Sequence, residues 1–286
     1  AATAGCDCLT EPLSVLAAAG VEISQLGRRI SDSFLAEWTS VRGEVPLRTI
    51  AIVDDEPQSQ YLYPEFLLYQ RLLERAGWRV VIADATSLEL RDDAVFLAEE
   101  RIDLIYNRVT DFYLADERHS VLQRAYESGL AVITPHPAAH ARWADKRLLA
   151  WLGDDELLQQ AGLDVDDRSH LRQTIPATEV VEPAAADDLW ARRKSLFFKP
   201  VDGFGSKAAY RGDKLTRTTF QHILAHHYVA QTIAPTSFRR IHSADGAEAD
   251  LRVDVRNYAL HGATWLRAAR LYRGQTTNFR TVGGGF

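Results

Sequence analysis

Methionine is missing altogether from this 286-residue sequence, cysteine occurs twice, and apolar runs are all short. Without about 18 consecutive apolar residues, nothing in the chain reads as a membrane-spanning helix. The segment "LSVLAAAG" is too short for a secretory leader and has no basic flank. Cys6 and Cys8 are too few and too close together for a disulfide framework or a complete zinc site, so we read them as reduced thiols of a cytoplasmic protein. An excess of positive charge is lacking too: 33 Lys and Arg stand against 39 Asp and Glu, a net charge of −6. That argues against a nucleic-acid surface, and any phosphate site must come from locally placed basic residues. The absence of methionine from a Leu/Ala-rich chain that begins at Ala1 leads us to expect missing upstream sequence. We also expect methionines lost from within, which would shorten some spacings by one residue.

The length allows one large or two ordinary domains with a substantial core. Residues 1–48 read as a helical N-terminal segment, with Ser31 or Asp32 as N-cap of "SDSFLAEWTSV". From Thr49, apolar strands alternate with Gly-terminated amphipathic helices. "TIAIV", "WRVVIA", "IDLIYNR" and "LAVITP" are the strands, and "PEFLLYQRLLERAG" and "ERHSVLQRAYESG" are two of the helices. That alternation predicts parallel βαβ units over 49–140. Beyond residue 141 comes a helical "ADKRLLAWLGDDELLQQAGL", then the connector "TIPATEVVEPAAADD". Later strands pair as antiparallel hairpins: "SLFFKP" with "KAAYRG" around a glycine loop, and "LRVDVRNYAL" with "TWLRAARLYR" around "HGA". The expected fold class is therefore α/β plus α+β, with the second domain over 141–286.

Two acidic residues, Asp54 and Asp55, end the first strand, as in the receiver domains of phosphorylation switches. A receiver also needs an aspartate at the end of its third strand. Here "RIDLIYNRVTDF" offers Asn107 or Arg108 at that place and Asp103 at the opposite end, so the switch reading lacks its acceptor. Carboxylates at the end of a parallel strand lie where open α/β sheets place their ligands. Asn107, Arg108 and Asp111 leave another strand end at the same edge and are candidate substrate contacts.

Lys199 ends an apolar strand and is followed by Gly203, Gly205 and Ser206, then by Lys207 on what reads as a second strand. The spacing fits neither a P-loop nor a dinucleotide fingerprint. A glycine loop between two strands can instead act as a mobile lid whose backbone approaches phosphates closely. In "LRVDVRNYAL", Arg252, Asp254 and Arg256 share one face by the strand period of two. The return strand adds Arg267 and Arg270, and Arg280 follows before the run Gly283–Gly284–Gly285. Planar guanidinium forks match phosphate and carboxylate groups, and Asp254 could orient them. His222, His226 and His227 in "HILAHH" lack an acidic partner and read as a solvated helix face, and His136 and His140 as a loop and helix start.

Taken in order, "ADKRLLAWL", "FFKPVDGFGS", "YVAQTIAP" and "VDVRNYALHGATWLRAARLYRGQTTNFRTVGGG" resemble the ATP-grasp ligases. They are closest to the circularly permuted branch of eukaryotic-type glutathione synthetase and glutathionylspermidine synthetase. The resemblance covers most of 141–286 and makes 49–140 a substrate-side α/β domain. It implies ATP and Mg²⁺ as cofactors and a ligase joining a small amino-acid or peptide-like carboxylate to an amine or thiol through an acyl phosphate. It assigns Lys146 and Lys199 to the ATP phosphates, and Gly203, Gly205 and Ser206 to the lid. Gln231 and the Ile233 backbone fall at the adenine edge. Arg256 and Arg270 face the transferred phosphoryl group and the acyl phosphate, and catalytic Arg280 with Gly283, Gly284 and Gly285 forms a second loop closing on the amino-acid-like substrate.

The family's metal-binding Glu-x-Asn is not found in this chain, and its order in permuted members would place it upstream of Ala1. Asp202 is the one metal ligand we mark. A nucleotide-binding or sensing protein that kept the fold without catalysis is the rival reading. The expected partners are small-molecule carboxylate and amine substrates, with no nucleic acid and no membrane. A homodimer stays open.

Overall fold

The structure, a computed structural model, describes residues 23–205, 207–242, 248–260, 262–274 and 281. Cys6, Cys8, Ser206, Arg280, Gly283, Gly284 and Gly285, with the helix expected over "LSVLAAAG", lie outside the described residues. Those described fall into two compact units. One holds the chain up to His140 with Arg256–Ala268, and the other holds Ala141–Val255 with the described residues from Ala269 on.

The first unit opens with helix α1 (Ile23–Arg42), then β1 (Thr49–Asp54), α2 (Tyr63–Arg75) and β2 (Arg79–Asp84). Strands β3 (Leu88–Arg91), β4 (Ala94–Leu97) and β5 (Glu100–Ile102) follow, then β6 (Leu104–Asn107), α3 (Ser120–Glu127), β7 (Val132–Thr134) and α4 (Pro137–Trp143). The main sheet is parallel in the order β2-β1-β6-β7. Its central strand β1 is apolar from Ile50 to Val53 because both faces are covered. Ile50 and Ile52 pack with Phe34 and Trp38 of α1 and Phe66 and Leu73 of α2. Ala51 and Val53 face the opposite core, with Leu122 and Ala125 of α3 and with Leu88, Val95 and Ile102.

Those last three come from an antiparallel sheet β3-β4-β5 that the sequence reading did not anticipate. Its strands are three or four residues long, too brief for a clear alternation. The expected N-cap at Ser31 or Asp32 is also corrected. Helix α1 already runs from Ile23, and the Ser31 hydroxyl donates back to the Arg28 carbonyl at 2.8 Å, as an interior helical serine does.

In the second unit the run expected to be helical, 144–163, holds two helices, α5 (Arg147–Trp151) and α6 (Asp155–Gln160), and α7 (Val165–Thr174) follows it. Asp154 and Asp164 N-cap the latter two, which is why the chain restarts there. The expected connector contains strand β8 (Thr178–Val180) and helix α8 (Ala186–Arg192). Then come β9 (Leu196–Pro200), β10 (Tyr210–Arg211), α9 (Arg217–Leu224), β11 (Tyr228–Thr232), β12 (Ser237–His242), β13 (Glu248–Leu260) and β14 (Ala263–Tyr272), of which Arg256–Ala268 belongs to the first unit.

One antiparallel sheet has the order β10-β9-β11-β8, packed on Leu189, Phe220 and Ile223. A second runs β12-β13-β14. The strand expected to carry Lys207 shrinks to Tyr210 and Arg211. Ala208 has a φ of 52°, which an extended strand excludes, so Lys207 sits in the turn. Among the described residues no helix is long and apolar enough to cross a membrane.

Candidate functional site

Strands β9 and β11 pair with Val229 opposite Lys199, and this register sets Lys199 beside Gln231. The Lys199 ammonium donates to Gln231 Oε1 at 2.6 Å. The amide of Gln231 then donates to the Thr178 hydroxyl at 2.8 Å, so both ends of this buried side chain are held. Lys146 donates from its ammonium to the Gly203 carbonyl at 2.6 Å and to the Val201 carbonyl at 3.3 Å. The Lys146 backbone N–H bonds the same Val201 carbonyl. Three segments distant in sequence thus meet at the foot of the glycine loop.

Glycine is required there. A Cβ on Gly203 would stand 2.2 Å from Pro200 Cγ, and Gly205 has a φ of +59°. Burial pushes the Lys199 pKa down, and the Lys146 ammonium nearby pushes it further. Burial also lowers Lys146, against the pull of Asp202 and Asp145. Two like charges, part-buried and with no carboxylate in an ion pair with either among the described residues, make a site short of negative charge. A polyanion supplies it, so the donor set fits phosphates.

The adenine edge is less open than the resemblance implies. The Gln231 carbonyl is already bonded to Lys199, and the Ile233 N–H donates to the Ser195 carbonyl at 2.9 Å. On β13 and β14, Arg270 is buried and forks onto Asp254, Nε to Oδ1 at 3.1 Å and Nη2 to Oδ2 at 2.5 Å. Asp254 does orient a guanidinium, and Arg270 is the one. Arg252 stacks on Phe238 at 5.5 Å, and Arg256 and Arg267 are exposed. Asp202 is exposed beside Gly203. Among the described residues no three His, Cys, Asp or Glu side chains gather as a metal site, His222, His226 and His227 included.

The α/β unit has a cavity of about 530 Å³ at the carboxyl edge of its parallel sheet, lined by Asp54, Asp55, Tyr106, Asn107, Arg108 and Phe112 among others. This is where doubly wound sheets place ligands. Two of the three expected substrate contacts, Asn107 and Arg108, line it. The third, Asp111, does not. Its Oδ2 contacts His119 Nδ1 at 2.8 Å and accepts the Asp116 N–H. The second ring nitrogen of His119 meets Asp55 Oδ1, also at 2.8 Å.

A ring with a carboxylate on each nitrogen is an imidazolium. Burial opposes that charge, but the bonds to Asp111 and Asp55 outweigh it and raise the His119 pKa. Burial likewise works to raise Asp111, but the His119 bond and two backbone N–H groups carry it below the usual carboxylate range. The sequence reading missed His119, which is 1% exposed. No motif marks it, and only the fold brings Asp55 to it across 64 positions.

Asp103 settles the receiver comparison structurally. It accepts the Arg48 and Thr49 N–H groups at the amino end of β1, away from Asp54. Asn107, opposite Val53, occupies the strand end where an acceptor would stand.

No protein-family model matches the sequence, and a comparison with curated proteins finds no match. Solved structures do match. A protein from Methylobacillus flagellatus KT, assigned as a gamma-glutamylcysteine synthetase, is similar with TM-score 0.54 at 9% identity, over 89% of this chain and 69% of that one. An ATP-grasp ligase complexed with a phosphomimetic precursor variant, Mg and ADP is similar at 15% identity and TM-score 0.43, over 79% and 77%. The fold is shared with the Methylobacillus protein. A glutathione synthetase-like effector from Globodera pallida is similar at 10% identity and TM-score 0.49, over 86% of this chain. This chain spans 54% of that effector's length. At such identities the likeness establishes architecture alone, and activity has to be argued from the site.

Proposed function

We propose that the protein is an ATP-dependent carboxylate–amine ligase. The observation that carries this reading is the pair Lys146 and Lys199, two part-buried ammonium groups with no ion-pair partner among the described residues, at the foot of a loop where Gly203 has no room for a side chain. In the reaction a substrate carboxylate oxygen attacks the γ-phosphorus of ATP and ADP leaves. The amine nitrogen then attacks the acyl carbon, inorganic phosphate leaves, and the nitrogen gives up its proton. A thiol is the alternative second nucleophile.

Lys199 and Lys146 hold phosphate oxygens and oppose the charge that builds on them. Displacement of Lys199 from Gln231 frees the amide carbonyl to accept from the adenine amino group. The Gly203–Gly205 loop, with Ser206, covers the phosphates, because an acyl phosphate hydrolyses if water reaches it. Arg270, held rigid by Asp254, acts with Arg256 and Arg280 on the transferred phosphoryl group. Gly283, Gly284 and Gly285 close on substrate, and Asn107 and Arg108 are the substrate contacts of the α/β cavity. Bound Mg²⁺ would neutralise triphosphate charge. Nucleotide-held Mg²⁺ needs few protein carboxylates, and Asp202 is the residue here that would serve.

Binding without catalysis is the second reading, favoured by the lack of a three-ligand acidic group among the described residues. A phosphate-release screen of the full chain with Mg·ATP and a panel of amino acids, polyamines and small peptides separates the two. Release that depends on both an acid and an amine supports the ligase. Mg·ATP binding with no release under any pair supports the second reading.

A further inference from the structure

The cavity of the α/β unit presents one carboxylate outside any ion pair among the described residues. Asp55 is neutralised by His119, and Glu65 lies 3.6 Å from the Arg108 guanidinium. Asp54 differs. Its Oδ1 accepts the Asp55 N–H at 2.9 Å, and among the described residues no cation forms an ion pair with it. Burial raises its pKa, against the Asp55 N–H and the more distant charges of Arg108 and His119, which pull it down.

Asn107 stands one register position away, paired with Val53 on the neighbouring strand. It is 8% exposed, and its Oδ1 accepts the Val109 N–H at 3.2 Å, which fixes the amide orientation. No described protein atom accepts from its Nδ2. Yet no fully buried side-chain polar atom is left without a partner, so this NH₂ opens into the cavity that the residue lines. Arg108 donates to the Tyr106 hydroxyl at 3.0 Å and has further N–H groups to give.

We propose that this cavity binds a small zwitterion, an α-amino acid with an apolar or aromatic side chain. The ammonium rests on Asp54, and the carboxylate on Asn107 Nδ2 and the Arg108 guanidinium. A bare anion would meet the Asp54 charge, and a bare metal ion would find a single uncommitted carboxylate with a guanidinium beside it. Both signs on one molecule satisfy both edges. Strands about 4.8 Å apart bring the two edges within reach of groups on one carbon. Phe112, stacked on His140 with ring centroids 3.9 Å apart, supplies an apolar wall. The volume lies within the range of about 300–1,000 Å³ found for small-ligand pockets. This deepens the ligase reading and rests on it for the ligand's meaning as a substrate, though binding itself does not require ATP.

The test is calorimetric titration of the full chain with each of the twenty common L-amino acids. Two single-charge analogues of phenylalanine, phenethylamine and 3-phenylpropanoate, accompany them. At least one apolar or aromatic amino acid is expected to bind tenfold or more tightly than either analogue. Asp54→Asn should weaken that amino acid and phenethylamine at least tenfold while sparing 3-phenylpropanoate. Arg108→Gln should do the reverse. No amino-acid binding, an analogue that binds as well as the zwitterion, or indifference to Asp54→Asn would each overturn the proposal. Should a variant not fold, the analogue comparison on the unaltered protein decides alone. Amino-acid binding without Mg·ATP binding would remove the ligase reading and keep this site, and the converse would remove only this site.

Discussion

The two units handle charge in opposite ways. In the α/β unit charged groups come in pairs: His119 between Asp55 and Asp111, Arg108 against Glu65, and backbone N–H groups on Asp103. Around the glycine loop of the other unit, Lys146 and Lys199 lean on neutral carbonyl oxygens, and Lys146 depresses the protonation of Lys199. Paired charge fastens a fold, whereas unpaired like charge stores a demand for a ligand. By that comparison the lysine loop is the polyanion site, and Asp54 is the place in the paired region where a charge was left for something else.

The largest break should come from His119→Ala, which leaves Asp55 and Asp111 without their cation. Loss of one partner from such a buried network costs about 3 kcal/mol. Urea unfolding should show it, and a loss below about 1 kcal/mol would mean that the pairing is ornamental. Gly203→Ala comes next. The added methyl meets Pro200 and shifts the carbonyl that holds Lys146. Overpacking of this kind costs about 1–3 kcal/mol, and Mg·ATP affinity should drop about tenfold, while His119→Ala, in the other unit, should leave the nucleotide site intact.

Gly205→Ala forces a side chain into left-handed backbone at about 1 kcal/mol, expected as a smaller loss of nucleotide affinity. The smallest effect is on pH dependence. His119 has a raised folded pKa, so its contribution is complete below the ordinary imidazole value and is lost as pH rises through the raised one. Asp111 has a lowered folded pKa, so its share is present above the ordinary carboxylate value and is lost as pH falls through the lowered one. The difference in Tm between the unaltered protein and His119→Gln should therefore be widest between about pH 5 and 6.5. A difference that grew toward alkaline pH would contradict the imidazolium assignment.

What the sequence revealed and what it hid follow from the range of the interactions. The parallel strands were legible because β1, buried on both faces, must be apolar from Ile50 to Val53. The hairpin β13–β14 was legible because its period of two runs through long strands. Strands β3, β4, β5 and β8 were too short to show a period. The Lys207 strand was misjudged because left-handed backbone at Ala208 leaves no mark in composition.

Lys146 and Lys199 came from motif order, whereas their mutual proximity and the use of Gln231 by Lys199 belong to strand register. His119 and the free edge of Asn107 were invisible. Each is defined by partners across the fold and not by neighbours in the chain.

The central claim is that Lys199, part-buried beside Lys146, is poised for the phosphates of ATP. Calorimetric titration of Mg·ATP into the full chain and into Lys199→Ala tests it most directly. Loss of a charged hydrogen bond worth about 1.5–3 kcal/mol should weaken binding at least tenfold in the variant. Equal affinity of the two proteins for Mg·ATP would contradict the account.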